Sequence, residues 1–232
     1  MISGRRHISM ADELTSFVCP VYSLLDRPGK SSLVVYTSSC NWSCYGCHNM
    51  AILRSKPQPH ITRQKFVTYL SNPLVQCVVI SGGEPTLLGE ALMSELRWIR
   101  STFPKLHISL DTNGSNPQML RKLVAQQLID SVAMDVKLNW FVEQTWMTWA
   151  KKLLGCQTVD RADILESMDI VASIKDSLFR TVKYPLFEED TTYLSDLKND
   201  VEHKYPEIPY YQNRYVNTSV GTLHNPALIA VV

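Results

Sequence analysis

"SLVVYTSSCNWSCYGCHN" (32–49) joins an unbroken apolar run to three thiols, Cys40, Cys44 and Cys47, spaced C-x3-C-x2-C. The run "SLVVYTS" (32–38) does not alternate apolar with polar, so it reads as a strand covered on both faces. The same grammar recurs three times. "QCVVIS" (76–81) runs into "SGGEP" (81–85), "LHISLD" (106–111) into "DTNG" (111–114), and "SVAMDV" (131–136) into "MDVK" (134–137). Amphipathic stretches separate these runs. One begins near Thr62 with Phe66, Val67 and Leu70 inward, a second carries Leu88, Leu92, Leu96, Ile99 and Phe103, and a third carries Leu120, Leu123, Val124 and Leu128.

Further along, Val142, Trp146, Ala150 and Leu153 keep helical spacing, and a second helix is predicted at about 160–172. "SLFRTVK" (177–183) predicts a fifth strand, 189–203 a helix, and "YYQNRYV" (210–216) a sixth strand. Regular strand–helix alternation with near-continuous apolar strands implies a parallel sheet covered by helices. Six units are too few for the closed eight-stranded barrel, which needs about 250 residues. The expected fold is therefore α/β, a partial (β/α)6 TIM-like barrel with parallel strands. It would span 23–217, after an N-terminal extension (1–22) and before a C-terminal tail (218–232).

Composition narrows the function classes. The 232 residues suffice for one domain with its own core. A hydrophobic content of 45% and a charged content of 19% are those of an ordinary globular chain. A formal net charge of +1 gives no footprint for nucleic acid. No run of about 18 apolar residues predicts a membrane span, and "MISGRRHISMADELTSF" (1–17) lacks the apolar core of a secretory signal. The expected location is the cytoplasm. Of the six cysteines, Cys19, Cys77 and Cys156 lie far apart, which fits a reducing compartment better than a disulfide framework. Cys77, within an apolar run, reads as strand core.

Four polar clusters thus fall at the C-terminal ends of successive predicted strands, the rim where parallel α/β folds gather their ligands. Three close thiolates suit a metal centre, one ligand short of fully capping a cubane iron–sulfur cluster. An iron without a protein ligand can bind substrate or cofactor. Gly82 and Gly83 let backbone groups approach a ligand closely, or simply form a turn. Glu84 beside them offers an acceptor for an ammonium group. Asp111 and Asp135 can hold a cation together or cap the following turns. Lys137 suits a carboxylate, or is a solvated lysine. Trp140, Trp146 and Trp149 serve either as docking anchors or as helix packing.

These residues resemble the radical S-adenosylmethionine superfamily, whose hallmark is C-x3-C-x2-C followed by a GGE-type motif. Within it, "DTNG", "MDVK" and "LFRTVKYPLFEED" (178–190) are similar to the activating enzymes of glycyl radical enzymes. The likeness is greatest to activators of anaerobic ribonucleoside-triphosphate reductase, then to pyruvate formate-lyase activase. It implies that Cys40, Cys44 and Cys47 hold a four-iron four-sulfur cluster whose fourth iron binds S-adenosylmethionine. Gly82, Gly83 and Glu84 would meet the cofactor's amino group, and Asp135 and Lys137 would lie along its ribose and carboxylate. Gly46, Cys47 and His48 would contact its adenosyl part. Asp111, Thr112, Met134 and Asp135 stand where a monovalent cation sits in the formate-lyase activase.

The implied activity is reductive cleavage of the cofactor to a 5′-deoxyadenosyl radical, which makes a glycyl radical on a partner reductase. A flavodoxin- or ferredoxin-type protein would donate the electron. Two departures stand out: Gly46 replaces the aromatic residue common before the third cysteine, and a late cofactor-contacting histidine has only Tyr211 or Gln212 as counterparts. The rival enzyme is a small-molecule radical enzyme such as a 7-carboxy-7-deazaguanine synthase, against which "DTNG" and "MDVK" argue. "CYGCH" (44–48) also fits haem attachment, but that leaves Cys40 unexplained. A Cys3His zinc site on the same loop leaves "GGEP" unexplained.

Overall fold

A computed structural model describes residues 13–54, 58–156 and 159–216. Eight strands form one sheet: β1 (Leu14–Ser23), β2 (Ser32–Thr37), β3 (His60–Thr62), β4 (Cys77–Gly82), β5 (His107–Thr112), β6 (Ser131–Asp135), β7 (Leu178–Lys183) and β8 (Tyr210–Arg214). Their order is β3-β1-β2-β4-β5-β6-β7-β8. From β2 to β8 every pairing is parallel. This is the expected α/β architecture of six parallel strands. Among the described residues β3 and β8 are the edges of this sheet and do not pair with each other, as in an incomplete barrel.

The helices are α1 (Met50–Arg54), α2 (Arg63–Leu70), α3 (Glu90–Thr102), α4 (Pro117–Ala125), α5 (Glu143–Leu154), α6 (Arg161–Ala172) and α7 (Tyr193–Lys204). Side chains start several of them by accepting an orphan backbone N–H: Thr62 from Lys65, Asn116 from Met119, and Asp160 from Ala162. Pro117 follows its cap at the first helical position, where a missing N–H costs nothing. Leu92, Leu96 and Ile99 of α3, Leu120 and Leu123 of α4, and Val78, Ile80, Ile108 and Leu110 of the central strands are fully buried. Each such side chain contributes about 1.5–3 kcal/mol relative to exposure. Between β7 and α7 a short 3-10 turn (Pro185–Glu189) precedes the helix expected over 189–203, which begins at Tyr193.

The sheet begins before residue 23. β1 pairs antiparallel with both β2 and β3, and its Phe17 and Val18 are buried. Sequence reading misses it because Pro20 interrupts the run, and proline in a strand belongs at an edge or bulge. The register does shift between Val18 and Val21, and Cys19 takes φ +49°. Arg63 fastens β1 to the helices by pairing with Glu95 (2.6 Å) and Glu13 (3.2 Å), while Glu95 accepts the Ser16 N–H (3.0 Å). The C-terminal tail (218–232) lies outside the described residues. Among the described residues no helix is long and apolar enough to cross a membrane. All six cysteines are free thiols, and Cys77 is buried in β4 as expected.

The tryptophans resolve as packing. Trp140 and Trp149 are buried, Trp146 is half-buried against Trp140 (ring centroids 5.8 Å), and Trp149 meets Phe187 and Tyr193 edge-on. A docking surface built from this trio is not available.

Candidate functional site

The strand ends converge on one cavity of about 410 Å³. Cys40, Cys44 and Cys47 line it together with Gly46 and His48 from the same loop. Gly82 and Gly83 reach it from β4, Asp111 and Thr112 from β5, and Asp135 and Lys137 from β6. Eleven of the thirteen residues expected to meet cluster, cofactor or cation therefore line one cavity. The exceptions are Glu84 and Met134, which is buried in β6.

The two glycines are needed by the backbone around them. Gly82 has φ +112°, and a Cβ there would stand 2.3 Å from the Thr37 nitrogen; at Gly83 it would stand 1.9 Å from the Ser39 carbonyl oxygen. Only glycine lets the two strand ends come this close. The Gly83 N–H donates to the Thr37 carbonyl (3.0 Å) and the Glu84 N–H to the Ser39 carbonyl (2.8 Å), which seats the cysteine loop on the end of β4. Asn49 donates to the Gly82 carbonyl (2.6 Å) and fastens the loop's far end to the same turn.

Glu84 turns away from the cavity and is fully buried. Its carboxylate accepts from the Thr86 N–H (3.2 Å) and hydroxyl (2.6 Å), the Thr112 hydroxyl (2.8 Å) and the Asn113 N–H (2.7 Å). These bonds make Glu84 the cap of the 3-10 turn Pro85–Leu88, which Pro85 opens immediately after it. Burial pushes the Glu84 carboxyl up, against the opposing pull of these hydrogen bonds. Glu84 is thus a positioning residue that ties the glycine turn to the "DTNG" turn. Glu84→Ala strands several buried donors at about 1–3 kcal/mol for each left unsatisfied. Urea unfolding is expected to register a loss of that size, and a much smaller one for Glu84→Gln.

A charge network also lines the cavity. Arg180, in the middle of β7, donates from Nε to Asp135 Oδ1 (2.5 Å) and pairs through Nη2 with Asp111 Oδ2 (3.1 Å). Lys137 Nζ sits 2.8 Å from Asp135 Oδ2, and the Ser81 hydroxyl donates to Asp111 Oδ2 (2.9 Å). The positive charge between the two aspartates, where a monovalent cation was expected, is this guanidinium. Burial pushes the Asp111 carboxyl up even with Arg180 beside it. For Asp135 burial acts the same way, but Arg180 and Lys137 outweigh it and hold the carboxyl well below its usual range. Burial lowers Lys137, and Asp135 more than restores it, so the ammonium stays charged. The sequence reading missed Arg180. Its signal was a charged residue sharing the inward parity of Leu178 and Val182, both of which line the cavity.

The donor set fits an iron–sulfur cluster. Burial pushes the Cys40 thiol up and the Cys44 thiol up to about 11, with the Lys137 charge acting the other way on both. A metal displaces such protons on binding. Among the described residues no three His, Cys, Asp or Glu side chains gather tightly enough for a single ion. A cubane presents separate irons to its thiolates, so its ligands stand wider apart than those of one ion. Two polar atoms at the cavity, His48 Nε2 and Asp111 Oδ1, are buried without a hydrogen-bond partner. Such atoms suit a polar ligand. Of the two late candidates, Tyr211 lines the cavity, whereas Gln212 donates to the Leu194 carbonyl (2.6 Å).

Comparison with known proteins agrees with this geometry. A family model described as a 4Fe-4S single cluster domain matches residues 26–154. A relative from Methanocaldococcus jannaschii, "Putative glycyl-radical enzyme activating enzyme MJ1227", is 34% identical over 119 residues. That match takes in 51% of this chain and 48% of the relative, so the chain spans about half the relative's length. Among solved structures, native anSMEcpe with bound AdoMet superposes with TM-score 0.56 at 14% identity, covering 86% of this chain and 53% of that one. Native anSMEcpe with bound AdoMet and Cp18Cys peptide gives TM-score 0.52 at 15% identity, covering 86% and 52%. At these identities the likeness is one of fold.

Proposed function

The chain belongs to the 4Fe-4S single cluster domain family, and on that premise we propose that it is a radical S-adenosylmethionine activase that installs a glycyl radical on a partner enzyme. Cys40, Cys44 and Cys47 are its cluster ligands. When bound, cluster and cofactor supply one-electron chemistry able to remove a hydrogen atom from a glycine of the partner. The observation that carries this reading is convergence: a three-thiol loop, a glycine turn and a paired charge network face one cavity from consecutive parallel strands.

The chain's own groups divide the work. Asp135, Lys137 and Arg180 form a preorganised charged wall for the amino-acid end of the cofactor, and the unpartnered Asp111 Oδ1 is an acceptor for its ammonium group. Gly46 and His48 flank Cys47 at the other end, where His48 Nε2 is the polar atom left for the nucleoside. Enclosure by the strands keeps water from the reacting atoms. The named relative supports a glycyl radical enzyme as partner. The "DTNG" and "MDVK" motifs favour an activase over a small-molecule enzyme, and Gly46, a glycine that some reductase activators also carry before the third cysteine, favours anaerobic ribonucleoside-triphosphate reductase as the partner, with a flavodoxin- or ferredoxin-type donor. A reducing cytoplasm suits this chemistry, and the six free thiols support that location.

The test is anoxic reconstitution followed by electron paramagnetic resonance. Reconstituted protein is expected to carry about four irons, with a reduced-cluster signal that changes when S-adenosylmethionine is added. Mixing with a glycyl radical reductase and a chemical reductant is expected to produce a protein radical signal. A small-molecule product with no protein radical refutes the activase reading, and a spectrum indifferent to the cofactor refutes the chemistry altogether.

A further inference from the structure

The last turn of α5 ends directly on the cysteine loop. The Ser43 N–H donates to the Leu154 carbonyl (2.9 Å) and the Tyr45 N–H to the Leu153 carbonyl (2.7 Å). These are the backbone amides on either side of Cys44. The last carbonyls of a helix have no partner within it, and here the loop supplies two donors. The helix terminates at Gly155, which is left-handed (φ +60°, ψ +21°). A Cβ on Gly155 would stand 2.7 Å from the Ser43 carbonyl oxygen, a backbone atom that cannot rotate aside. Leu153 and Leu154 are fully buried, so the carbonyls they present are anchored in the core. Within the loop itself the ties at the thiols are weaker, among them the Trp42 N–H to Cys40 Sγ at 3.4 Å and the Cys47 N–H to the Cys44 carbonyl at 3.3 Å.

We propose that the C-terminal turn of α5 is a clamp that fixes the cysteine loop in its cluster-binding shape, with Gly155 as the positioning residue that permits the approach. The inference rests on reading Cys40, Cys44 and Cys47 as cluster ligands. Pinning both amides that flank Cys44 fixes the backbone carrying the middle thiol. It also commits those two N–H groups to helix carbonyls and keeps them from the cluster sulfurs, and hydrogen bonds to those sulfurs tune reduction potential. Metal ligands depend strongly on the groups that orient them, and α5 is such a group built from main chain.

Two measurements test the clamp. The first is amide hydrogen exchange on the metal-free full chain, where Ser43 and Tyr45 are expected to be protected in the wild type and to exchange on the order of 10-fold faster in Gly155→Ala. The second is anoxic iron titration, with expected loss of roughly 10–100-fold in affinity and an altered reduced-cluster resonance in whatever loads. Gly155→Asn separates causes, because asparagine tolerates the left-handed backbone yet carries the same Cβ. Equal losses in both variants support the close approach, and wild-type behaviour of Gly155→Asn overturns it. Free exchange of Ser43 and Tyr45 in the wild type also overturns the clamp, and that arm stands even if a variant fails to fold. A wild type with protected amides that takes up no iron refutes the cluster reading instead and leaves the clamp's geometry intact.

Discussion

Cys44→Ala is expected to abolish cluster assembly and every activity that depends on it. The clamp at Ser43 and Tyr45 holds Cys44 between two pinned amides, and its thiol packs against the main core. Removing it leaves two thiols, which cap two corners of a cubane and leave two open. No other cysteine is placed to replace it, because Cys77 is buried within β4 and neither Cys19 nor Cys156 lines the cavity. The contrast that makes this informative is Cys77→Ala, which removes a fully buried sulfur away from the cavity and should keep full iron content. Iron per chain after anoxic reconstitution checks both. Retained S-adenosylmethionine cleavage by Cys44→Ala would sink the proposed chemistry.

Arg180→Leu is the second large effect. The guanidinium is the shared partner of Asp111 and Asp135, both of which line the cavity. Asp135 keeps Lys137, whereas the buried Asp111 is left without an ion-pair partner, and breaking a buried pair from one side typically costs about 3–5 kcal/mol. Denaturant unfolding of metal-free protein is expected to show a loss of that order, and Arg180→Lys an intermediate one, since lysine keeps the charge without the fork. Adding Asp111→Asn to Arg180→Leu should recover part of the loss by removing the stranded charge.

The pH dependence has a definite sign. Asp135, held below its ordinary value, contributes stability above roughly pH 4 that fades as the solution becomes more acidic. Asp111, already pushed up by burial, loses its main counter-charge in Arg180→Leu and moves further up. The variant should therefore gain more stability than the wild type as pH falls from 7 towards 5, because the stranded Asp111 takes up its proton at higher pH. A variant whose pH dependence matches the wild type's over that interval would show that Asp111 is not the stranded group.

Much of the fold was legible because parallel strands buried on both faces are near-continuous apolar runs rather than alternating ones, and the centres of "SLVVYTS", "QCVVIS", "LHISLD" and "SVAMDV" fit that pattern. The polar residues after each run then had to share one rim. β1 was not legible, since Pro20 and the left-handed Cys19 break its pattern, and β3 is only three residues long. Glu84 was legible in a way the motif obscured. An acidic residue directly before a proline is a helix-start signal, and the structure uses it as one. Arg180 is a charged residue in an otherwise buried strand, and its meaning depends on two aspartates that only the sheet brings opposite. The contact between α5 and the cysteine loop leaves no local trace, because nothing in "KKLLGCQ" (151–157) indicates where its carbonyls will point.

That contact also orders events in time. Ser43 and Tyr45 leave the ribosome long before Leu153 and Leu154 exist to receive them. Domains consolidate as their distant segments become available, so the thiols cannot adopt their final spacing until β2, β4, β5 and β6 have formed and α5 has docked. Maturation machinery meeting the nascent chain early would find three unconstrained thiols. Iron delivery is thus expected after the sheet has assembled, into a finished but metal-free protein.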